Sequence, residues 1–392
     1  MLLTPRILDR ELGTIGGDRA RWVALETRLA GFREALEREP VDESDEDAAT
    51  RTYVSRLAGA GLLALMVPAE YGGAAERVSS TAICLTRQWL ARTSGALDTA
   101  FVMQGLGSYP VTLAGRDELR ATLLPKVARG EAICAFALTE RGAGSDIKAM
   151  QTIARPGEDG GVVLDGEKCF ISNAGVATSY VVFAREQQEG EGGKPRFGAF
   201  WVPGDAPGLS VERAQVIAPH PIGAVRFDGV RVPAAHRLGE RGHGLRIALG
   251  NLDVFRVSVG AAALGLADRA LEVTVEHLQR RVQFGKPLAR QQGLQFALAD
   301  VCTDHVAAQL LVYRAAAARD RQTATPDQAA MAKMYATESA QRAIDRAVQS
   351  LGGLGVTVGQ VPERLYREIR ALRIYEGTTE IQKLVIARAL LT

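Results

Sequence analysis

Proline spacing is the tightest constraint on what this chain can fold into. Between Pro233 and the C-terminus only Pro287, Pro326 and Pro362 occur. Proline ends or kinks a helix because it has no N–H and its ring clashes with the carbonyl four residues back. Three prolines therefore divide the stretch into four long segments, the lengths of an up-and-down helical bundle. Small residues at Gly260, Ala261, Ala262, Ala263 and Gly265 permit close helix packing. The N-terminal third also reads as helical. Trp22, Leu25, Leu29, Phe32 and Leu36 recur at three- and four-residue spacing, one face of a helix closed by Pro40 and the acidic run 42–47. Helical patterns continue over 47–61 and 79–92, and another starts at Arg116 and is ended or kinked at Pro125.

The pattern changes near Ala132. Short β-rich runs follow at 161–164, 168–172, 180–183, 197–202, 209–217 and 225–232. Asp165-Gly166, the segment QQEGEGGKP (187–195) and Pro203-Gly204 punctuate them, as hairpin turns punctuate an antiparallel sheet or barrel. The fold class expected is α+β, mostly α. Its parts are an N-terminal helical domain (1–131), a middle antiparallel, barrel-like β domain (132–235) and a C-terminal four-helix bundle (236–392).

Composition excludes several functions. The chain is 47% apolar and 23% charged, which suits a large core and rules out disorder. Its 47 basic and 45 acidic residues give a net charge of +2, with the many Arg scattered, so nothing favours nucleic acid or an anionic membrane as partner. Cys84, Cys134, Cys169 and Cys302 lie far apart without CxxC spacing, and the five His show no ligand spacing, so no metal site is expected. Charges at Arg6, Asp9, Arg10 and Glu11 interrupt any signal-peptide core, and the longest apolar run (257–267) is about half a membrane span. The expected setting is cytoplasmic, without a membrane span.

No GxGxxG follows a strand, and GxxxxGK[ST], HExxH and GxSxG are absent. Five segments could carry chemistry. ALTERGAGSDIKA (137–149) is a small-residue turn whose N–H groups can approach an anion or a flat ring, or a tight loop capped by Asp146. GEKCFISNA (166–174) puts Phe170 and Ser172 on one strand face, for a flat cofactor or as core. RVQFGKPLARQQGLQ (281–295) brackets Phe284-Gly285 with Arg281 and Lys286, cations suited to a pyrophosphate, or caps a helix at Gly285. QSLGGLG (349–355) ends a helix with glycines that either cap it or leave amides for a ligand. IYEGTTEIQ (374–382) sets Glu376 among apolar residues, where a carboxylate's pKa rises and suits proton abstraction, or where it only favours a helix start.

Together and in this order, the five segments resemble the acyl-CoA dehydrogenase flavoprotein family, from about residue 50 onward. ALTExGAGSD and IYEGTxEIQ are the most specific, with RxxFGxPLxxxQ and QxxGGxG in support. The resemblance implies the same three-domain fold, a homotetramer, and FAD held between the β domain and the bundle and reaching a neighbouring subunit. It implies that Phe136, Leu138, Thr139, Gly144 and Ser145 wrap the flavin ring and that Phe170 and Ser172 flank it. Arg281, Phe284, Gln292, Gln349, Gly352 and Gly353 would serve the pyrophosphate and adenosine half, some of them in trans, and Thr378 and Glu380 would also touch FAD. LDVFR (252–256) resembles the thioester-binding stretch, so Ser145, Asp253, Arg256 and Gly377 are substrate-side residues. Glu376 matches the catalytic base, which removes the α-proton of an acyl-CoA while the β-hydrogen leaves as hydride, giving a 2,3-enoyl-CoA. The implied carbonyl donors are the Glu376 N–H and an FAD ribityl hydroxyl. The implied electron acceptor is an electron-transfer flavoprotein.

The sequence departs from the family at two places. Phe170 stands where many members have Trp. PHPIGAV (219–225) replaces a Gly/Arg/Ser-rich loop before FDGVRVP (227–233), which leaves a carrier-protein thioester open beside CoA. A flavin oxidase or monooxygenase and a DNA-binding relative are the other readings. A retained Glu376 argues against the monooxygenase, and the near-zero charge and short C-terminus argue against DNA.

Overall fold

The computed structural model describes residues 19–187 and 195–391. Residues 188–194 of the expected loop over 187–195, and the charged N-terminal segment before Arg19, lie outside the described residues. The described chain falls into two compact units. One is drawn from 19–37, 79–98 and 254–391, the other from 38–78, 99–187 and 195–253.

The helices at the start are α1 (Arg19–Arg38), α2 (Glu46–Gly59), α3 (Ser80–Thr93), α4 (Gly95–Ala114) and α5 (Asp117–Ala128). Asp45 caps α2 by accepting from the N–H groups of Asp47 and Ala48, and Ser79 caps α3 by accepting from Ala82. Pro125 does not end its helix, which runs on to Ala128. So near the C-terminus, the hydrogen bond that proline forfeits is one that the fraying last turn makes weakly.

Strands β1 (Cys134–Ala137), β2 (Ile153–Pro156), β3 (Val162–Ser172), β4 (Ser179–Glu186), β5 (Arg196–Pro203), β6 (Leu209–Arg213), β7 (Ile222–Val232) and β8 (Arg237–Leu238) form one sheet. The order is β6-β7-β3-β2-β4-β5-β8, with β1 paired to β4. The sheet is mixed rather than wholly antiparallel, because β1 and β2 both run parallel to β4. Their connections to β4 pass through longer segments, and a two-residue turn cannot join parallel strands. Asp165-Gly166 is not a turn either. It lies inside β3 at a register shift, while the reversal between β2 and β3 falls at Gly157–Gly161.

Alternation along β4 builds two cores. Val181 and Phe183 join Leu124, Val127, Ile247 and Ala248, whereas Tyr180, Val182 and Ala184 join Leu164, Val225, Phe227 and Val230. A strand buried on both faces reads as a continuous apolar run.

The remaining helices are α6 (Gly244–Arg280), α7 (Gln292–Asp320), α8 (Pro326–Leu351), α9 (Val361–Leu372) and α10 (Thr379–Leu391). The proline cuts therefore bound three long helices and two short ones. Pro326 and Pro362 sit in the first turns of α8 and α9, where a missing N–H costs nothing. A side chain at Gly265 would meet the Gln88 carbonyl at 2.2 Å, so α6 and α3 approach nearly backbone to backbone. Alanines 262, 263, 267, 270, 340, 343 and 347 with Ile344, Leu365 and Ile369 fill the core nearby. By length and composition α6 alone among the described helices could cross a membrane, but 83% of its most apolar stretch is buried inside the protein.

Candidate active site

Glu376 stands on a tight turn after α9. The N–H groups of Ile374 and Tyr375 both donate to Ala371 O, at 2.9 and 3.1 Å, and the chain then swings through φ +52° at Glu376 and +90° at Gly377 into α10. A non-glycine residue in the left-handed region costs about 1 kcal/mol or more and needs its surroundings to hold it. Here the hold falls on the carbonyls. Arg256 Nε donates to Glu376 O at 3.2 Å. Gln382 Nε2 donates to Gly377 O at 2.9 Å and Glu376 O at 3.3 Å, and Lys333 Nζ donates to Gly377 O at 2.6 Å.

The Glu376 side chain is half-buried, and its Oε2 is buried without a hydrogen-bond partner. Its N–H makes no hydrogen bond among the described residues. Burial pushes the carboxyl above its ordinary range; Arg87, Arg256 and Lys333 oppose that rise, and Asp98 adds to it. Arg87 and Asp98 form a buried bidentate pair, with Nε–Oδ1 at 2.9 Å and Nη2–Oδ2 at 2.6 Å, and Arg87 Nη1 donates to Ser258 Oγ at 3.0 Å. Thr378 Oγ1 accepts from the Ile381 N–H, and Glu380 is exposed on the first turn of α10.

In the same unit, Val282–Gln283 pairs with Lys286–Pro287 around Phe284-Gly285. Both central residues have positive φ, +53° and +76°, as in the primed turns that suit two-residue hairpins. Gly285 is therefore a hairpin residue, not a helix cap. Phe284 is 92% exposed. Arg281, Gln292 and Gln349 are exposed as well, and Gly352 and Gly353 have open space where a side chain would stand.

The second unit carries the remaining sequence-derived residues. Glu140 anchors the loop over 138–152. It accepts from the N–H groups of Gln151 (2.6 Å) and Thr152 (2.9 Å) and from Lys168 Nζ (2.7 Å), which also donates to Leu138 O at 3.1 Å. Burial alone would raise the Glu140 pKa, but the Gln151 N–H and the Lys168 charge outweigh it and leave it lowered. Burial pulls the Lys168 ammonium down to about 8, against Glu140. Beyond this anchor Gly142, Gly144 and Ser145 are exposed, with open space at both glycines, and Thr139 is half-buried. Leu138 is buried, and the Phe136 ring packs on Phe183 at 4.9 Å.

Phe170 lies in a second register shift of β3 with φ +55° and is 66% exposed, which makes it a surface ring rather than core. Ser172 Oγ lies 3.1 Å from His220 Nε2. The His220 Nδ1 faces Ala218 O at 2.9 Å and must carry the proton, so Nε2 accepts from Ser172. Burial lowers the His220 pKa and keeps the ring neutral. Asp253 is exposed.

Known proteins resemble the chain along most of its length. Residues 27–131, 135–230 and 242–391 match the N-terminal, middle and C-terminal domains of acyl-CoA dehydrogenase. The chain belongs to the acyl-CoA dehydrogenase family. An acyl-CoA dehydrogenase of Bacillus subtilis is 37% identical over 342 residues, covering 86% of this chain and 89% of the relative. The solved butyryl-CoA dehydrogenase of Megasphaera elsdenii superposes with a TM-score of 0.88 at 30% identity, covering 96% and 99% of the two chains. A Bacillus anthracis acyl-CoA dehydrogenase complexed with FAD gives 0.84 at 29% identity, covering 94% and 67%. Members of this family are oxidoreductases acting on CH–CH bonds.

Within the first unit the structure gathers Glu376, Gly377 and Arg256 into one cluster, with Arg256 buried against the Glu376 carbonyl. Sequence reading missed Lys333, Arg87 and Asp98. Lys333 had a signal: it interrupts the buried face Ala329–Ala336–Ala340 at helical spacing. Arg87 and Asp98 sit on neighbouring helices 11 residues apart and show no periodic cue. In the second unit the Lys168–Glu140 anchor and His220 were also missed.

Proposed function

We propose that this acyl-CoA dehydrogenase homologue carries FAD and converts an acyl-CoA thioester to its 2,3-enoyl thioester, with Glu376 removing the α-proton. The observation that carries the reading is the buried, unpartnered Oε2 of Glu376 beside a Glu376 N–H with no bond of its own. A desolvated carboxylate with a raised pKa is a stronger base toward a weakly acidic C–H than a solvated one. The free Glu376 N–H donates to the thioester carbonyl and stabilises the charge that develops on its oxygen as the proton leaves. Arg256 acts through the Glu376 carbonyl, and Ser145, Asp253 and Gly377 complete the substrate side.

The residues present fit a flavin dinucleotide. Gly142, Gly144, Gly352 and Gly353 offer bare backbone to open space, and Phe170 and Phe284 expose ring faces that suit a flat heterocycle. Phe136, Leu138, Thr139, Gly144, Ser145, Phe170 and Ser172 hold the ring, and Thr378 and Glu380 adjoin it. Arg281, Phe284, Gln292, Gln349, Gly352 and Gly353 hold the pyrophosphate and adenosine, some from a second subunit of a homotetramer. Bound FAD would supply the hydride acceptor for the β-hydrogen. An electron-transfer flavoprotein then receives the electrons. Exposed Phe284, Phe296, Val356 and Val358 support burial against other subunits.

Anaerobic mixing of the FAD-loaded protein with CoA thioesters of increasing chain length tests this reading. Bleaching of the visible flavin band by at least one is expected. Bleaching only by carrier-protein thioesters would reassign the carrier, and bleaching by neither would overturn the reading.

A further inference from the structure

We propose that Lys333 is a positioning residue for the base: its ammonium locks the Glu376-Gly377 turn through the Gly377 carbonyl and so puts a positive charge next to the base. The inference rests on Glu376 being the base. Lys333 is fully buried on α8, the one charged side chain on a buried face made mostly of alanines. Its Nζ lies 2.6 Å from Gly377 O. A buried ammonium is costly, and an apolar side chain of similar length would fill the same space without that cost. The position therefore answers to what the ammonium does at the turn.

It does two things at once. Successive positive φ values turn the Glu376 and Gly377 carbonyls toward cationic or polar donors, with Arg256 on the first, Lys333 on the second and Gln382 on both. That grip holds a strained residue and so fixes where its carboxylate and N–H point. Lys333 is also one of the positive charges that favour ionised Glu376 against burial, beside Arg87 and Arg256 and opposed by Asp98. Lys333 itself faces Glu376, Arg256, Glu338 and Glu380; burial pulls it down to about 8, so it stays mostly protonated at neutral pH. Arg256 and Gln382 can brace the turn when Lys333 is changed, but neither replaces its charge at that point.

The test follows anaerobic flavin reduction against pH in the wild-type holoenzyme and in Lys333→Met, Lys333→Gln and Lys333→Arg. The base works ionised, so reduction rises with pH through the Glu376 pKa. Removing a neighbouring cation should move that acid limb upward by about one unit in the Met and Gln variants and slow the maximal rate about tenfold. The Arg variant keeps the charge and should keep the limb. Bound FAD per subunit should stay unchanged in all three. If the limb stays at its wild-type pH in every variant that folds, or moves equally in Arg and Gln, the assignment is overturned. Should Met fail to fold, the Gln and Arg pair still decides it. A wild-type protein that no thioester reduces overturns the functional reading and this assignment with it; a reducible wild type with an unmoved limb overturns only the assignment.

Discussion

At the scale of single residues, chemistry here depends on charge held out of water. Asp98 is held by the bidentate ion pair with Arg87, so Arg87→Ala should leave a buried carboxylate without that partner and cost about 3–5 kcal/mol. Urea unfolding measures this, and Arg87→Met combined with Asp98→Leu should recover most of the loss, because removing both charges removes the unpaired one. The same Arg87 opposes the rise in the Glu376 pKa. Losing it should therefore also push the acid limb of flavin reduction upward. Glu376 was legible in the sequence because its motif is local, nine residues read in one line. Arg87 and Lys333 were not, because they come from α3 and α8 and meet it only after folding, whereas Arg256 was read from LDVFR as a substrate-side residue. Arg87 Nη1, for example, bonds a hydroxyl 171 residues away.

At the scale of elements, periodicity found most helices and strands but not α4, β1 or β2, nor the irregularities. Alternation puts Phe170 and Ser172 on one face of β3, and both do lie on the exposed side of buried Ile171. The register shift shows instead at Lys168-Cys169, both buried, and at the φ of +55° at Phe170. Nothing in GEKCFISNA announces a bulge, since bulges answer to the partner strand. Glu140 is a second case, a loop residue whose partners are two N–H groups at the far end of the loop and a lysine on β3. Its folded pKa lies below the ordinary carboxylate value of 4.5. The stability it contributes is thus fully present above that value and lost as pH falls through the folded pKa. Glu140→Gln should lower the urea midpoint at pH 7 and flatten its decline on acidification; a variant that keeps the wild-type slope would contradict this. Gly265 was read from sequence as a packing glycine. Gly265→Val should lower the thermal midpoint by several degrees, an overpacking cost of about 1–3 kcal/mol or more, because the obstacle is the Gln88 backbone and cannot rotate away.

At the scale of the whole molecule, proline spacing and hydropathy foretold helices, then strands, then helices. The family match over all three regions agrees with that order. A balanced charge of +2 fits a small-molecule enzyme better than a nucleic-acid binder. The parallel pairings of the sheet were not legible, since strand direction is a long-range property that alternation does not encode. The central claim is that one carboxylate takes the α-proton. Its most direct test is stopped-flow flavin reduction, without oxygen, by a short-chain acyl-CoA and its α-deuterated form, in wild type and Glu376→Gln. The wild type should show a primary isotope effect. The Gln variant should bind FAD and thioester as before yet reduce flavin about 10²–10⁴-fold more slowly. Equal reduction rates in the two proteins, with FAD and thioester bound in both, would contradict the account.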